Sequence, residues 1–227
     1  MRRLVLFIAF SVLVACGGSQ PATSVAPAPA APVAPVEPVA PAKPRIVFLG
    51  DSLTAGLGLS ADQSFPSLID KKLKDKGFDY EVVNAGVSGD TSAGGVRRLE
   101  WSIEGDVRVL IVALGGNDGL RGLSIDELRK NLSAVLDRAK ARGIPVIVAG
   151  MEAPPNYGRE YTNAFRRVYA DLAKEYDVRF IPFLLQGVAG DASLNQADGI
   201  HPNVRGAEIV ADLVWKELEP ELRRPTK

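Results

Sequence analysis

Residues 45–54 read RIVFLGDSLT, a short apolar segment that ends in a glycine and then turns polar. The segment is rich in β-branched and large apolar residues and is too short for a buried helix, so it predicts a strand. Ser52 follows at once, at a predicted strand-to-helix turn. Similar segments recur along the chain, and we predict strands over Ile46–Leu49, Tyr80–Val83, Val107–Leu114, Ile144–Gly150 and Val178–Phe183.

Amphipathic segments separate these strands. One opens with a capping box, Ser124-x-x-Glu127, and stops at Gly143. We predict helices over Ser64–Lys76, Thr91–Ile103, Ser124–Arg142, Arg159–Tyr176 and Val204–Leu218. Strands that alternate with helices indicate an α/β fold, with a parallel sheet covered by helices on both faces. In such a sheet, ligands bind beyond the carboxyl ends of the strands.

The composition excludes several classes of protein. The 227 residues include 27 Lys and Arg, 27 Asp and Glu, one Cys and one His. This balanced charge argues against a nucleic-acid partner. A single Cys cannot form an internal disulfide, and one Cys with one His cannot supply the usual zinc ligands. A structural zinc site is therefore excluded, and no cofactor is expected.

The first 15 residues have the layout of a secretory signal, with Arg2 and Arg3 before a short apolar run. The run ends in LVAC at residues 13–16, which resembles the bacterial lipoprotein box. This resemblance implies cleavage after residue 15 and lipid attachment at Cys16. The alternative is an ordinary signal peptide in which Cys16 occurs by chance.

Residues 16–44 predict a tether between the lipid and the folded domain. Residues 17–44 contain eight Pro and eight Ala, and only Glu37 and Lys43 are charged. Such a segment cannot bury a core and favours an extended spacer. Gly17 after the Cys resembles lipoproteins sorted to the outer membrane, so we expect an enzyme anchored in the bacterial cell envelope and facing the periplasm. Residues 45–227 then form the single folded domain.

The loop after the first strand is a candidate catalytic loop. A phosphate cradle is disfavoured, because no Lys lies between Gly50 and Gly58 and no G-x-G-x-x-G follows the strand. Ser52 is the alternative, as a nucleophile, and it then needs a general base. His201 is the only imidazole in the chain. Asp198, three residues before it, can reach the second ring nitrogen through one tight turn. Asp90 is the alternative partner for that nitrogen.

Acyl transfer also requires donors for the developing oxyanion. The loops after the second and third strands supply candidates in the Gly86 N–H and the Asn117 side-chain amide, beside the Ser52 N–H. Gly86 could instead be a plain turn glycine, and Asn117 a turn or cap residue. Asp51 and Asp118 are expected to brace these loops by accepting backbone N–H bonds.

Four motifs in register resemble those of the SGNH (GDSL) hydrolases: Gly50-Asp51-Ser52-Leu53, Gly86-Val87-Ser88-Gly89-Asp90, Gly115-Gly116-Asn117-Asp118 and Asp198-x-x-His201. Within this family the sequence resembles most closely the branch of periplasmic acyl-CoA thioesterases, lysophospholipases and arylesterases. The resemblance spans residues 45–227. It implies a flavodoxin-like three-layer fold with strand order 2-1-3-4-5. It also implies a metal-free serine hydrolase with Ser52 as nucleophile. The lipid anchor and the tether depart from the soluble members of this branch.

The resemblance implies small ester, thioester or lipid substrates cleaved through an acyl-Ser52 intermediate. Deacetylation of cell-wall or other glycans is the alternative activity, and a non-enzymatic envelope lipoprotein is the alternative class. The loop at residues 151–158, MEAPPNYG, has the apolar and aromatic character of an acyl groove. It could equally be a connection stiffened by proline.

Overall fold

A computed structural model describes residues 43–224 of the chain. The predicted signal segment, Cys16 and nearly all of the tether lie outside these residues. No helix within the described part is both long and apolar enough to cross a membrane.

The predicted five-stranded parallel sheet is confirmed. Its order is β2-β1-β3-β4-β5, as the family resemblance implied, and every neighbouring pair is parallel. The strands differ from their predicted bounds by up to two residues at the start and up to three at the end. They are β1 (Arg45–Gly50), β2 (Glu81–Gly86), β3 (Val107–Ala113), β4 (Val146–Ala149) and β5 (Arg179–Ile181).

Helices cover both faces of the sheet, which confirms the predicted three-layer α/β fold. On one side α3 contacts α5 and α5 contacts α6, whereas α2 packs against α7 on the other side. The helices are α1 (Ser52–Ala55), α2 (Phe65–Asp75), α3 (Ser92–Ser102), α4 (Gly116–Leu120), α5 (Ile125–Ala141), α6 (Gly158–Glu175) and α7 (Val204–Leu222).

Two differences from the predicted helices have simple physical reasons. The helices α1 and α4 have only four and five residues, too few to show a helical period in the sequence. The other difference is α7, which ends at Leu222 rather than at Leu218 and includes Pro220. A proline fits the φ angle of a helix, and in the last turn it removes only one hydrogen bond.

The sheet forms the centre of the core, and its order sets the position of the site. β1 and β3 are buried along almost their whole length. Because all strands are parallel, the loops that follow them gather at one edge of the sheet. Arg45, the first residue of β1, lies at the opposite edge.

Candidate active site

Ser52 lies where β1 turns into α1. Asp51 caps this short helix by accepting the Leu53 N–H at 3.0 Å. Ser52 is the first helical residue, and 9% of its surface is exposed. Its N–H lies in the first turn, where a helix offers no internal acceptor. The turn therefore presents both a hydroxyl and a free backbone donor at the edge of the sheet.

The structure brings His201 and Asp198 to Ser52 in one continuous relay. His201 Nε2 lies 2.8 Å from Ser52 Oγ, and His201 Nδ1 lies 2.7 Å from Asp198 Oδ2. The second oxygen of Asp198 accepts the backbone N–H of Ile200 at 2.9 Å and of His201 at 3.0 Å. This tight turn is the one that the three-residue spacing predicts.

The ionised state of Asp198 determines which nitrogen of His201 carries the proton. The backbone N–H groups of His201 and Ile200, and then the His201 ring, lower the pKa of Asp198 from 3.8 to about 2. An ionised carboxylate can only accept hydrogen bonds, so Nδ1 carries the ring proton. The neutral ring then has its lone pair on Nε2, and the Ser52 hydroxyl donates to it. The geometry is that of a hydroxyl paired with a general base.

Asn117 lies beside this relay, on α4. Its Nδ2 donates to the Asp90 carbonyl at 2.9 Å and lies 3.4 Å from Asp51 Oδ2. The α4 helix begins after Gly115, whose φ of 106° favours glycine. The side-chain amide of Asn117 is thus held between the Ser52 turn and the loop after β2, and it faces the same edge as Ser52.

The structure does not direct the Gly86 N–H to the site. Gly86 is the last residue of β2, and its N–H donates to Asn84 Oδ1 at 3.0 Å. The next N–H, that of Val87, donates to the Gly50 carbonyl of β1. Because N–H directions alternate along a strand, the Gly86 N–H faces away from β1 and Ser52. A glycine is required here for packing, since a Cβ would lie 2.2 Å from the Ala55 nitrogen.

Gly89, three residues further on, has the exposed N–H that Gly86 lacks. Within residues 43–224 no hydrogen-bond acceptor pairs with it. Its carbonyl accepts a bond from Arg121, and the carbonyl of the following Asp90 accepts the bond from Asn117. The turn around Gly89 therefore lies next to the Asn117 amide. The sequence did not distinguish Gly89 from Gly86 as the donor, because both glycines belong to the motif of residues 86–90.

Asp90 does not serve as the partner of His201. Its carboxylate forms an ion pair with Arg98, with 2.7 Å between Arg98 Nε and Asp90 Oδ2. Arg98 also donates to the carbonyls of Gly50 at 2.7 Å and Ala85 at 2.6 Å. This arginine, which the sequence did not single out, ties the ends of β1 and β2 to the Asp90 loop.

Asp51 and Asp118 brace loops as predicted. Asp118 accepts the N–H and the hydroxyl of Ser92 at 2.7 and 2.5 Å, which fixes the start of α3. Asp51 is 1% exposed, and burial raises its pKa from 3.8 to about 6. The hydrogen bond from the Leu53 N–H, and then the electrostatic attraction of the nearby His201, offset part of this rise in the pKa. Desolvation therefore destabilises the charged form of Asp51, which lies next to the nucleophile.

The loop after β4, residues 151–158, packs against α4 at the edge of the sheet that carries the site. Met151 and Ala153 are buried, and a Cβ on Gly119 would lie 3.2 Å from the Ala153 Cα. Tyr157 donates from its hydroxyl to the Leu120 carbonyl at 3.0 Å. The loop thus packs on α4 and carries an exposed aromatic ring to the edge of the sheet.

Exposed apolar side chains occur in five segments at the edge of the sheet that carries the relay. We call this set the apolar rim, and its members follow β1, β2, β3 and β4 or precede His201. Each is between 40% and 47% exposed. They are Leu57, Val87, Leu120, Leu123, Tyr157 and Ile200. Beside Ser52 and His201 there is also a small apolar pocket, lined by Leu53, Leu57, Phe65 and Leu185 among others.

The described residues offer no candidate metal site. Within residues 43–224 no three His, Cys, Asp or Glu side chains are grouped so that they could hold an ion.

Comparisons with known proteins find several chains similar to this one. Esterase TesA of Pseudomonas aeruginosa is 43% identical over 178 residues, which are 78% of this chain and 89% of that protein. The thioesterase 1/protease 1/lysophospholipase L1 of Escherichia coli K12 is 40% identical over 176 residues, or 77% and 83% of the two chains. The psychrotrophic esterase EstA from Pseudoalteromonas sp., in a crystal structure inhibited by monoethylphosphonate, is 29% identical with a TM-score of 0.75. That match covers 79% of this chain and 99% of EstA.

A family model described as the GDSL-like lipase/acylhydrolase family matches residues 48–209, most of the folded domain. The matched segment contains the Ser52 turn, the loops after β2 and β3, and the Asp198–His201 turn. These matches confirm the predicted resemblance and the predicted enzyme class: the chain is a carboxylic ester hydrolase of the GDSL-like lipase/acylhydrolase family.

Proposed function

We propose that this hydrolase cleaves carboxylic esters and thioesters in two steps, through an acyl group carried on Ser52. The observation that supports this most directly is the relay from Ser52 through His201 to Asp198, with donor–acceptor distances of 2.8 and 2.7 Å. A serine hydroxyl is a weak nucleophile unless a base removes its proton. The relay supplies that base in the correct tautomer.

In the first step, Ser52 Oγ forms a bond to the substrate carbonyl carbon while His201 Nε2 takes the hydroxyl proton. The carbonyl π electrons move onto oxygen. When the tetrahedral intermediate collapses, the bond to the alcohol or thiol breaks and His201 returns the proton to the leaving group. In the second step, water attacks the acyl-Ser52 ester, again with His201 as base, and the carboxylic acid leaves.

Three donors in our proposal stabilise the oxyanion: the Ser52 N–H, the Asn117 side-chain amide and the Gly89 N–H. Gly89 replaces Gly86, whose N–H already has an acceptor in Asn84. One amide proton of Asn117 is held by the Asp90 carbonyl at 2.9 Å, so the amide keeps one orientation. The other proton has only a long bond of 3.4 Å, to Asp51 Oδ2, and we propose that it turns to the oxyanion when substrate is bound. Donors fixed before the reaction cost no reorganisation when the charge develops.

A serine-directed fluorophosphonate probe tests the nucleophile. The wild-type protein should be labelled, and Ser52→Ala should abolish both labelling and hydrolysis. Ser88→Ala is the matched control, because Ser88 is an exposed loop serine near the same edge, and it should still be labelled. Wild-type protein that is not labelled, or Ser52→Ala that is labelled equally, would instead support a binding module that retains the fold.

Medium or long acyl chains and aryl esters are the proposed substrates. The apolar rim supports this choice, since clustered exposed apolar side chains mark sites that bind apolar ligands. The names of the relatives from P. aeruginosa and E. coli, an esterase and a thioesterase/lysophospholipase, agree with it. Hydrolysis rates on p-nitrophenyl esters of increasing chain length test it. A sharp preference for acetate would favour glycan deacetylation instead.

We also propose that the enzyme is held in the bacterial cell envelope by lipid at Cys16, facing the periplasm from the outer membrane. The support is the sequence alone, in the LVAC motif and the Pro- and Ala-rich residues that follow it. Cys16→Ser should move the protein from the membrane fraction to the soluble fraction, with unchanged activity per molecule. A variant that stays with the membrane would contradict lipid attachment at this residue.

A further inference from the structure

The two halves of the relay come from distant parts of the chain. Ser52 and His201 are 149 residues apart, and each lies in its own loop segment. We call residues 52–59 the serine segment and residues 195–203 the histidine segment. Their alignment must hold Ser52 Oγ within 2.8 Å of His201 Nε2, because proton transfer depends steeply on such a distance.

Gln196 bridges the two segments. Its Nε2 donates to the Leu57 carbonyl at 2.6 Å and to the Pro202 carbonyl at 3.0 Å. The Gln196 backbone N–H donates to the His201 carbonyl at 2.7 Å. Both protons of the carboxamide are therefore used, one on each segment, and the main chain of Gln196 holds the residue that carries the base.

The carboxamide has little freedom to move. Its oxygen lies against Gly58, where a Cβ would come within 2.0 Å of Oε1. Gly58 has a φ of 80°, a conformation that favours glycine. Leu57, the acceptor on the serine segment, is itself tied back to the nucleophile, because its N–H donates to the Ser52 carbonyl at 3.1 Å. The bridge thus runs from the histidine segment to Ser52 in two bonds.

No other hydrogen bond within residues 43–224 joins the two segments, apart from the bond between His201 and Ser52 itself. Asn203 and Asn195 also fix the histidine segment, but their side-chain amides donate to carbonyls at residues 188–195. They shape the segment without linking it to the serine loop.

We infer that Gln196 is a positioning residue, which sets the distance between nucleophile and base by joining the serine segment to the histidine segment. The inference rests on the catalytic roles proposed above for Ser52 and His201. Gln196 itself donates only to main-chain carbonyls, so it acts through the geometry of the relay and not on the substrate.

The test compares Gln196→Met and Gln196→Glu with the wild-type protein. Methionine keeps the length of the side chain and removes both donors. Glutamate keeps the shape and places an acceptor oxygen against two carbonyls. We expect kcat to fall by about 10- to 100-fold in Gln196→Met and further in Gln196→Glu, with KM changed by less than about threefold. The rate of fluorophosphonate labelling should fall by the same factors.

Gln186→Met is the matched control, because Gln186 is an exposed glutamine outside both segments, and it should retain full activity. Rates are expressed per folded molecule, from circular dichroism and gel filtration of each variant. Gln196→Met with kcat within twofold of wild type would overturn the inference. Failure of the proposed mechanism has a different sign: Ser52→Ala would then still be labelled by the fluorophosphonate. Failure of the Gln196 inference leaves the loss of labelling in Ser52→Ala unchanged.

Discussion

The carboxyl group of Asp51 should make the stability of this protein fall as the pH rises. Asp51 is 1% exposed, and burial raises its pKa from 3.8 to about 6. Because the folded pKa lies above the unfolded one, the folded protein binds the proton more tightly. Stability from this group is therefore present in acid and is lost as the pH rises through about 4 to 6.

The size of the effect follows from the two pKa values. The difference between 3.8 and about 6 corresponds to roughly 3 kcal/mol when both states are ionised, above about pH 7. At about pH 4.5 only about 1 kcal/mol of this penalty is present, since the folded carboxyl is then mostly protonated. The neutral Asp51→Asn variant escapes the penalty but loses one acceptor, because its amide cannot accept from both Leu53 and Asn117. That loss costs about 1 kcal/mol at either pH.

Urea unfolding of the wild-type protein and of Asp51→Asn at about pH 4.5 and about pH 8 measures the effect. The free energy of unfolding of Asp51→Asn relative to wild type should rise by about 2 kcal/mol between the two pH values. This equals a relative gain in Tm of roughly 4–8 °C. Asp171→Asn, at an exposed position of α6, is the control and should show no such change. The same Asp51→Asn effect at both pH values would refute the reasoning.

Three further predictions concern the site. Asn117→Ala should lower kcat by about 100- to 1000-fold with an unchanged circular dichroism spectrum; a fully active variant would exclude Asn117 as an oxyanion donor. Asp198→Asn should lower kcat by roughly 10,000-fold, because the imidazole loses its tautomer; steady-state kinetics measure this, and a loss under tenfold would contradict it. Arg98→Met should cost roughly 2–3 kcal/mol in urea unfolding, since Asp90 is left half-buried without its cation; Arg98→Met with Asp90→Asn should recover part of it.

The order of strands and helices could be predicted because each element has its own period and its own boundary residues. β1 and β3 are buried on both faces, so their sequences are almost continuously apolar. The long helices α5 and α6 have a clear amphipathic period. In contrast, α1 and α4 depend on tertiary position: each is a single turn after a strand end, and its start is fixed by Asp51 or by Gly115.

The relay was predictable because its residues are scarce and closely spaced. One imidazole in the chain, with a carboxylate three residues before it, leaves few ways to build a base. The residues that hold the relay were not predictable in this way. Arg98 and Gln196 act by donating to main-chain carbonyls that are 48 and 139 residues away, and any polar side chain looks equally suitable in the sequence.

The position of the oxyanion donor shows how an error in a strand boundary changes a functional assignment. The sequence predicted that the second strand ends at Val83, which made Gly86 a loop residue with an N–H free to turn toward Ser52. The strand continues to Gly86, so the direction of that N–H is set by the alternation along β2 and points away from β1. The Gly89 N–H, in the turn beside Asn117, is free of that constraint and has no acceptor within the described residues. The role of a glycine in a catalytic motif therefore has to be assigned from the direction of its N–H. Two glycines three residues apart can be required for different reasons. Gly86 is required by close packing, and Gly89 by a turn with a φ of 82°.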